Sequence, residues 1–197
     1  MNTGQYFTNE QLPSSMKDFM AVILGHKFVF TTDNGVFSKN GLDFGTRVLL
    51  ENIPLSDLSG EILDVGCGYG PIGIVVAKVT SLLVTMCDVN HRALHLAKKN
   101  ASNNNVHVQI LESDCYNSLD PNKKFDVIIT NPPIRAGKKV VYEIVMGARH
   151  HLKETGKLFL VVRKEQGAKS MINDLAEYYQ VTVLDKIKGF FIIECTF

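Results

Sequence analysis

The sequence predicts an α/β fold: a seven-stranded, mostly parallel sheet with helices on both faces and an antiparallel hairpin at its C-terminal end. Three observations lead there. From about Leu58 onward, short β-rich runs alternate with helical stretches, the pattern of a doubly wound sheet. Most of these runs are continuously apolar, as strands covered on both faces must be. The last two runs, 180–187 and 190–197, are joined only by Lys188-Gly189. A link that short cannot make a parallel crossover, so the two strands should form a hairpin.

Taken in order, 27–31 and 36–37 flank the turn-like Thr32-Asp33-Asn34-Gly35 and predict a small hairpin, followed by a short helix over 45–52. Residues 1–57 read as an extension packed on a main domain of 58–197, within one structural domain. Strands are predicted at 61–65, 82–88, 106–111, 125–130 and 157–162. Helices are predicted at 71–79, 91–103, 137–151 and 168–178. Pro71 suits the first turn of its helix, where a missing N–H costs nothing. A parallel sheet that ends in an antiparallel hairpin is the arrangement of class I methyltransferases, whereas nicotinamide dehydrogenases continue in parallel.

Composition excludes several classes. A chain of 197 residues, 45% of them hydrophobic, can bury a core without disulfides or metals. Its first residues, Met1-Asn2-Thr3-Gly4-Gln5, are polar and lead into no signal-peptide core. Apolar stretches such as 72–77 fall far short of the roughly 20 residues that span a bilayer. A cytoplasmic protein without a membrane partner is therefore expected. Cys67, Cys87, Cys115 and Cys195 are scattered and make no CxxC pair, so neither a metal nor a disulfide framework is expected. A net charge of +1 means that any nucleic-acid affinity must come from a local patch. Oligomeric state is left open.

The strongest local motif runs from Glu61 to Gly73, Glu-Ile-Leu-Asp-Val-Gly-Cys-Gly-Tyr-Gly-Pro-Ile-Gly. A buried strand enters a glycine-rich turn at Gly66, Cys67, Gly68 and Gly70, and a helix follows. Glycines let the backbone bend sharply and approach a ligand closely, and a helix N-terminus favours a carboxylate or phosphate. Asp64 is placed to meet a ligand's ammonium, directly or through water. Gly68-x-Gly70-x-x-Gly73 satisfies the dinucleotide pattern but in the wrong register, since Gly66 already opens the turn. At the end of the next strand, Asp88, with Val89 beside it, is positioned to accept two hydrogen bonds from ribose hydroxyls. Taken alone, Asp88 also reads as a helix N-cap. After the third strand, Asp114 can accept from an adenine amino group with the Cys115 N–H facing a ring nitrogen; its alternative is a solvated turn residue.

The fourth strand runs into Thr130-Asn131-Pro132-Pro133-Ile134. Two prolines stiffen the backbone at the strand end. The side-chain oxygen of Asn131 and the carbonyl of Pro132 can then accept both hydrogens of one NH₂ group. An exocyclic amine on a ring is a poor nucleophile. Gripping its hydrogens favours pyramidalisation and aims its lone pair at a sulfonium methyl, so positioning and electrostatics suffice.

These segments, with an upstream block, resemble the small-subunit ribosomal RNA guanine-N2 methyltransferase family of class I enzymes. The block is Gly35-Val36-Phe37-Ser38-Lys39-Asn40-Gly41-Leu42-Asp43-Phe44-Gly45-Thr46-Arg47-Val48-Leu49-Leu50; the other matches are 63–70, Asp88, Asp114 and 131–133. The likeness covers most of 28–165. It implies S-adenosyl-L-methionine as cofactor, S-adenosyl-L-homocysteine as product, and ribosomal RNA or a ribosomal subunit as partner. It also implies that Phe37 helps wall the pocket and that Thr46 lies near the cofactor, although Phe37 alone reads as a core aromatic. Two departures stand out. Ile134 replaces the family's usual aromatic residue after Asn-Pro-Pro, so apolar contact replaces stacking there. The family's best-known members carry an additional N-terminal domain for substrate recognition.

Residues 131–153 hold Arg135, Lys138, Lys139, Arg149 and Lys153 against Glu143 alone. With Pro133 and Ile134 leading into them, Arg135 and the two lysines are candidates for contact with substrate RNA; a solvated helix face is the alternative. Transfer to a protein glutamine or to adenine N6 would use the same grip on an NH₂ group. From another class, a non-catalytic RNA-binding or ribosome-assembly module would share the fold.

Overall fold

The computed structural model describes residues 12–197, so the first part of the expected 1–57 extension lies outside the described residues. The described chain starts with a two-stranded antiparallel sheet, β1 (Lys17–Ile23) and β2 (His26–Thr32), followed by α1 (Phe44–Asn52). Then come β3 (Glu61–Val65), α2 (Pro71–Thr80), β4 (Leu83–Asp88), α3 (His91–Asn103), β5 (Gln109–Glu112), β6 (Phe125–Thr130) and α4 (Lys138–Gly147). The chain closes with β7 (Leu152–Arg163), α5 (Ala168–Leu175), β8 (Gln180–Ile187) and β9 (Phe190–Thr196). Strands β3 to β9 form one sheet in the order β5-β4-β3-β6-β7-β9-β8. Pairs among β3 to β7 are parallel, and β9 is antiparallel to both β7 and β8, as Lys188-Gly189 requires. This is the Rossmann-like class I architecture that the alternation predicts.

One element differs from the expectation. Residues 27–31 do form a strand, but its partner is upstream: β1 pairs with β2 across Leu24-Gly25, both at positive φ (50° and 78°). Thr32-Asp33-Asn34-Gly35 turns no hairpin, because Asp33 is committed elsewhere. Its carboxylate accepts from the Ser14 hydroxyl (2.8 Å) and from the N–H groups of Ser15 (2.5 Å) and Asn34 (2.7 Å). Val36 and Phe37 consequently leave the strand and run over the main sheet. The fifth parallel strand is also longer than the apolar run predicts, beginning at Leu152.

Side chains on the two faces of the main sheet enter separate cores. One face packs under β1, β2, α1, α2 and α3 around Phe28, Phe30, Leu49, Ile74 and Leu96. The other packs under α4 and α5 around Phe125, Ile128, Val145 and Leu158. The small sheet joins the first face by an unusual device. Asn100 on α3 and Asn104 at its C-cap bond the free edge of β2 as a strand would. Asn100 accepts from the Thr31 N–H at 2.7 Å and donates to the Thr31 carbonyl at 3.0 Å. Asn104 does the same for Val29 at 3.0 and 2.8 Å. An edge otherwise open to water or to another chain is thereby closed.

Strand order reverses between β3 and β6, whose neighbours on either side lead the chain in opposite directions. Their carboxyl ends diverge there, and open α/β sheets bind ligands at such a point.

Candidate active site

A cavity of about 310 Å³ opens over the carboxyl ends of β3, β4 and β6, a volume suited to a small ligand. The glycine turn forms its floor. Gly66 and Gly68 have φ of 72° and 57°, values open to glycine and strained for other residues. A β-carbon on Gly68 would meet nothing within 4 Å, so the turn faces open space. Its amides, however, are already engaged. Gly66 and Cys67 N–H both donate to the Cys87 carbonyl (2.9 and 3.0 Å), and Gly70 N–H donates to Cys67 O (2.9 Å). The Gly73 N–H goes to Asp64 (2.9 Å), and Pro71 has none. The N–H groups of Gly66, Cys67, Gly70 and Gly73 are thus taken up within the protein, and these residues serve the site by shape and close approach more than as donors.

Asp88 is built into this floor. Its Oδ2 accepts from Gly68 N–H (2.8 Å) and its Oδ1 from Asn90 N–H (2.9 Å). Burial raises its carboxyl above the ordinary range, against the lowering effect of those N–H bonds. The N-cap of α3 is Asn90, which accepts from Ala93 N–H at 3.1 Å, so the capping alternative for Asp88 falls away. Val89, exposed Asp114 and buried Cys115 line the same cavity.

Across the cavity stands Asn131. Its Nδ2 donates to Asp43 Oδ2 at 3.0 Å and to Thr46 Oγ1 at 2.9 Å. A carboxylate accepts and never donates, so Asp43 fixes which end of the amide faces it. With both amide hydrogens engaged, Oδ1 is the atom of this side chain left for a substrate. Asp43 is itself fixed as the N-cap of α1 through Thr46 N–H (2.9 Å). Pro132, Pro133, Ile134 and Arg135 continue the wall in a short 3-10 turn over Ile134–Ala136.

Four expected site residues do not line the cavity. Asp64 is fully buried beneath the turn, with Oδ2 on Gly73 and Oδ1 without a partner. Gly70 serves packing: a β-carbon there would lie 2.9 Å from Ile74 Cδ1 and 3.1 Å from Met86 Cε. Lys138 and Lys139 lie on the outer side of α4, where Lys138 rests over the Tyr142 ring at 4.6 Å. Phe37 corrects the core reading in the other direction, being 48% exposed and part of the cavity wall. The loop carrying Val36 and Phe37 is held down by Arg92 and Asn90, which donate to the carbonyls of Asn34 (2.6 Å) and Gly35 (3.2 Å).

Residues 27–194 match the family described as methyltransferase small domain. The chain belongs to that family. Among its relatives, the uncharacterized protein YbxB of Bacillus subtilis is 44% identical over 96% of both chains. Ribosomal RNA small subunit methyltransferase C of Mannheimia succiniciproducens is 35% identical over 81% of this chain and 48% of its own length. Among solved structures, the T. thermophilus 16S rRNA N2 G1207 methyltransferase RsmC, in complex with AdoMet and guanosine, superposes with a TM-score of 0.81 at 26% identity. That match covers 94% of this chain and 51% of the other. The chain thus spans about half the length of the named ribosomal RNA methyltransferases that it matches.

The cavity of this methyltransferase small domain suits a nucleoside that carries a cationic amino-acid arm. Carboxylates sit at the ends of adjacent strands, at Asp88 and Asp114, with apolar walls from Val36, Val65 and Ile72. A buried Asp64 oxygen without a partner lies under the turn, where a positive charge would satisfy it electrostatically. Sequence reasoning missed Asp43 as the residue that holds Asn131, and missed Arg163, Gln166 and Phe190 on the cavity's outer wall. The local signal for Asp43 was its place three residues before Thr46, an N-cap spacing. Its partnership with Asn131 has no sequence signal.

Proposed function

We propose that this protein is an S-adenosyl-L-methionine-dependent N-methyltransferase that acts on the exocyclic N2 amine of a guanine in ribosomal RNA. The observation that carries this reading is the Asn131 amide, locked by Asp43 and Thr46 with Oδ1 free, in one cavity with the glycine turn. The relatives named for ribosomal RNA methylation and the fold shared with RsmC support it.

When bound, the cofactor supplies an electrophilic methyl group. Gly66, Cys67 and Gly68 would floor its binding site, Asp88 and Val89 would take the ribose, and Asp114 and Cys115 would take the adenine. Asp64, from below, would favour the positive arm. Asn131 Oδ1 and the Pro132 carbonyl would accept the two hydrogens of the target amine and orient its lone pair, with Pro133, Ile134 and Phe37 excluding water around it. Such orientation acts chiefly on the transition state, where the amine pyramidalises. The amine becomes acidic as it is alkylated, so its proton can leave late to solvent without a strong base. Residues 58–197 would form the methyltransferase domain, and the segment before it an extension that walls the cavity. No described helix is long and apolar enough to cross a membrane, in keeping with action on cytoplasmic ribosomal subunits.

The test is to incubate the protein with methyl-labelled cofactor and ribosomal subunits from a strain lacking it, then digest the RNA and identify the labelled nucleoside. N2-methylguanosine is the expected product. Label in protein or in N6-methyladenosine would overturn the reading.

A further inference from the structure

The cavity mouth has an outer wall that the proposed chemistry leaves unused. Strand β7 ends at Arg163, and the Lys164 N–H donates to the Gly189 carbonyl at 2.7 Å, which ties this strand end to the β8–β9 turn. The turn sets Phe190 into the cavity wall. Phe190 in turn packs edge-on against Phe44 at the start of α1, with ring centroids 5.5 Å apart and planes at 62°. A cation stands over each ring: the Arg163 guanidinium is 5.3 Å from the centre of Phe190, and the Lys188 ammonium 5.3 Å from that of Phe44.

Phe190 is half-buried against the core, and the other groups reach solvent. Phe44 is 37% exposed, and Arg163, Lys164 and Lys188 are exposed. Neither Lys164 nor Lys188 has a carboxylate within 4 Å among the described residues, whereas Arg163 pairs with Glu165 at 3.2 Å. Arg135, exposed in the turn after β6, lines the same cavity, and β6 neighbours β7 in the sheet, so a further positive group borders the opening. Rings that reach the surface with cations over them suit a single-stranded nucleic acid: a base stacks on the ring while the cation turns to the adjoining phosphate. A duplex offers no such base face. Inside the cavity the exposed ring is Phe37, since Ile134 has none; Phe44 and Phe190 are left for a neighbouring base.

We propose that Phe44, Phe190, Arg163 and Lys188 form a platform for the nucleotide next to the one that enters the cavity, in a single-stranded stretch of RNA. This inference rests on the RNA reading above. The phenylalanines would stack its base, and Arg163 and Lys188 would take the phosphates on either side.

The test measures binding of a fluorescent eight-nucleotide, guanine-containing oligoribonucleotide across a salt series, for the wild type, Phe44→Leu, Lys188→Asn and Lys188→Arg. Asn tolerates the positive φ of position 188 (47°), so that variant keeps the turn. Thermal midpoints and S-adenosylhomocysteine affinity, both expected at wild-type values, check that the variants fold. Phe44→Leu should weaken binding about tenfold, within the range for loss of one stacked base. Lys188→Asn should reduce the slope of log affinity against log salt by about 0.7, and Lys188→Arg should restore it. Wild-type affinity and slope in both Phe44→Leu and Lys188→Asn would overturn the platform, as would equal or tighter binding of the same sequence as a duplex. The two readings separate cleanly. Label in N2-methylguanosine with unaltered variant binding removes the platform alone; platform-dependent binding without methyl transfer to RNA removes the guanine reading alone.

Discussion

Asp43 and Asn131, 88 residues apart in sequence, share a hydrogen bond of 3.0 Å, and the same Asp43 oxygen accepts the Thr46 N–H that begins α1. A helix cap and the orientation of the proposed catalytic amide are thus one interaction. Asp43→Ser should keep the cap but be too short to reach Asn131, while Asp43→Asn can present one oxygen to both donors. The expected outcome is a kcat loss of about tenfold or more for Asp43→Ser, with KM for cofactor unchanged, and near wild-type turnover for Asp43→Asn. Equal losses in both variants, or a loss confined to KM, would mean that Asp43 only supports the fold.

Removing the amide itself should cost more. Asn131→Ala is expected to bind S-adenosylhomocysteine as the wild type does, yet to lose about a hundredfold in turnover, the usual order for one oriented polar group. Calorimetric titration and single-turnover kinetics on the same preparation check both halves. A variant that still turns over within a few-fold of the wild type would remove Asn131 from the reaction.

Cofactor affinity should depend on pH through Asp64. Burial, reinforced by the charge of Asp88 and opposed by the Gly73 N–H, pushes its carboxyl up to about 7. Because the folded value lies above the unfolded one, the stability that protonated Asp64 contributes is fully present below about pH 4 and is lost as pH rises through 7. A positive ligand over the turn favours the ionised form, so binding expels a proton when the group starts protonated. Affinity should therefore rise with pH up to about 7 and level off above, with a slope of at most tenfold per unit. Titrations from pH 5.5 to 8.5 measure this. In Asp64→Asn the rise should vanish and binding at pH 8 should weaken; a slope that survives the substitution would assign it to another group.

The asparagine pair on α3 predicts a stability effect. Asn100→Ala strands the Thr31 N–H, the Thr31 carbonyl and the Tyr69 carbonyl, to which Asn100 also donates at 2.9 Å. All lie in a buried setting, where an unpartnered group is costly, so about 3 kcal/mol of destabilisation is expected. Asn100→Asp, which keeps an acceptor for Thr31 N–H but loses both donations, should also be destabilised. Urea unfolding of the two variants tests it, and a loss under 1 kcal/mol in Asn100→Ala would show that the Asn100 bonds contribute little to docking the small sheet.

Gly73 lies inside α2, where conformational freedom is not needed, and its reason is space. A β-carbon would fall 2.2 Å from Met86 Sδ on β4, a side chain buried to 0% exposure. Gly73→Ala should therefore cost about 1–3 kcal/mol despite alanine's better helix propensity. A Gly73→Ala protein as stable as the wild type would place slack between α2 and β4.

The alternation of apolar runs with amphipathic stretches, the two-residue Lys188-Gly189 link, the glycine turn and the strand-end Asp88 and Asn131 were readable because each is specified by neighbours in the chain. Periodicity, turn length and positive φ are local properties, and they placed the parallel sheet, its closing hairpin and the mouth of the site. The β1–β2 hairpin was legible in the same way, through its two-residue Leu24-Gly25 link, although the expected partner of β2 was 36–37. Other pairings are not local. The carboxylate that orients Asn131, the asparagines that replace a strand beside β2, and the aromatic and cationic outer wall from β7 and β9 come from distant segments. Their meeting depends on how helices pack across the sheet, where burial and hydrogen-bond satisfaction among non-neighbours set the outcome.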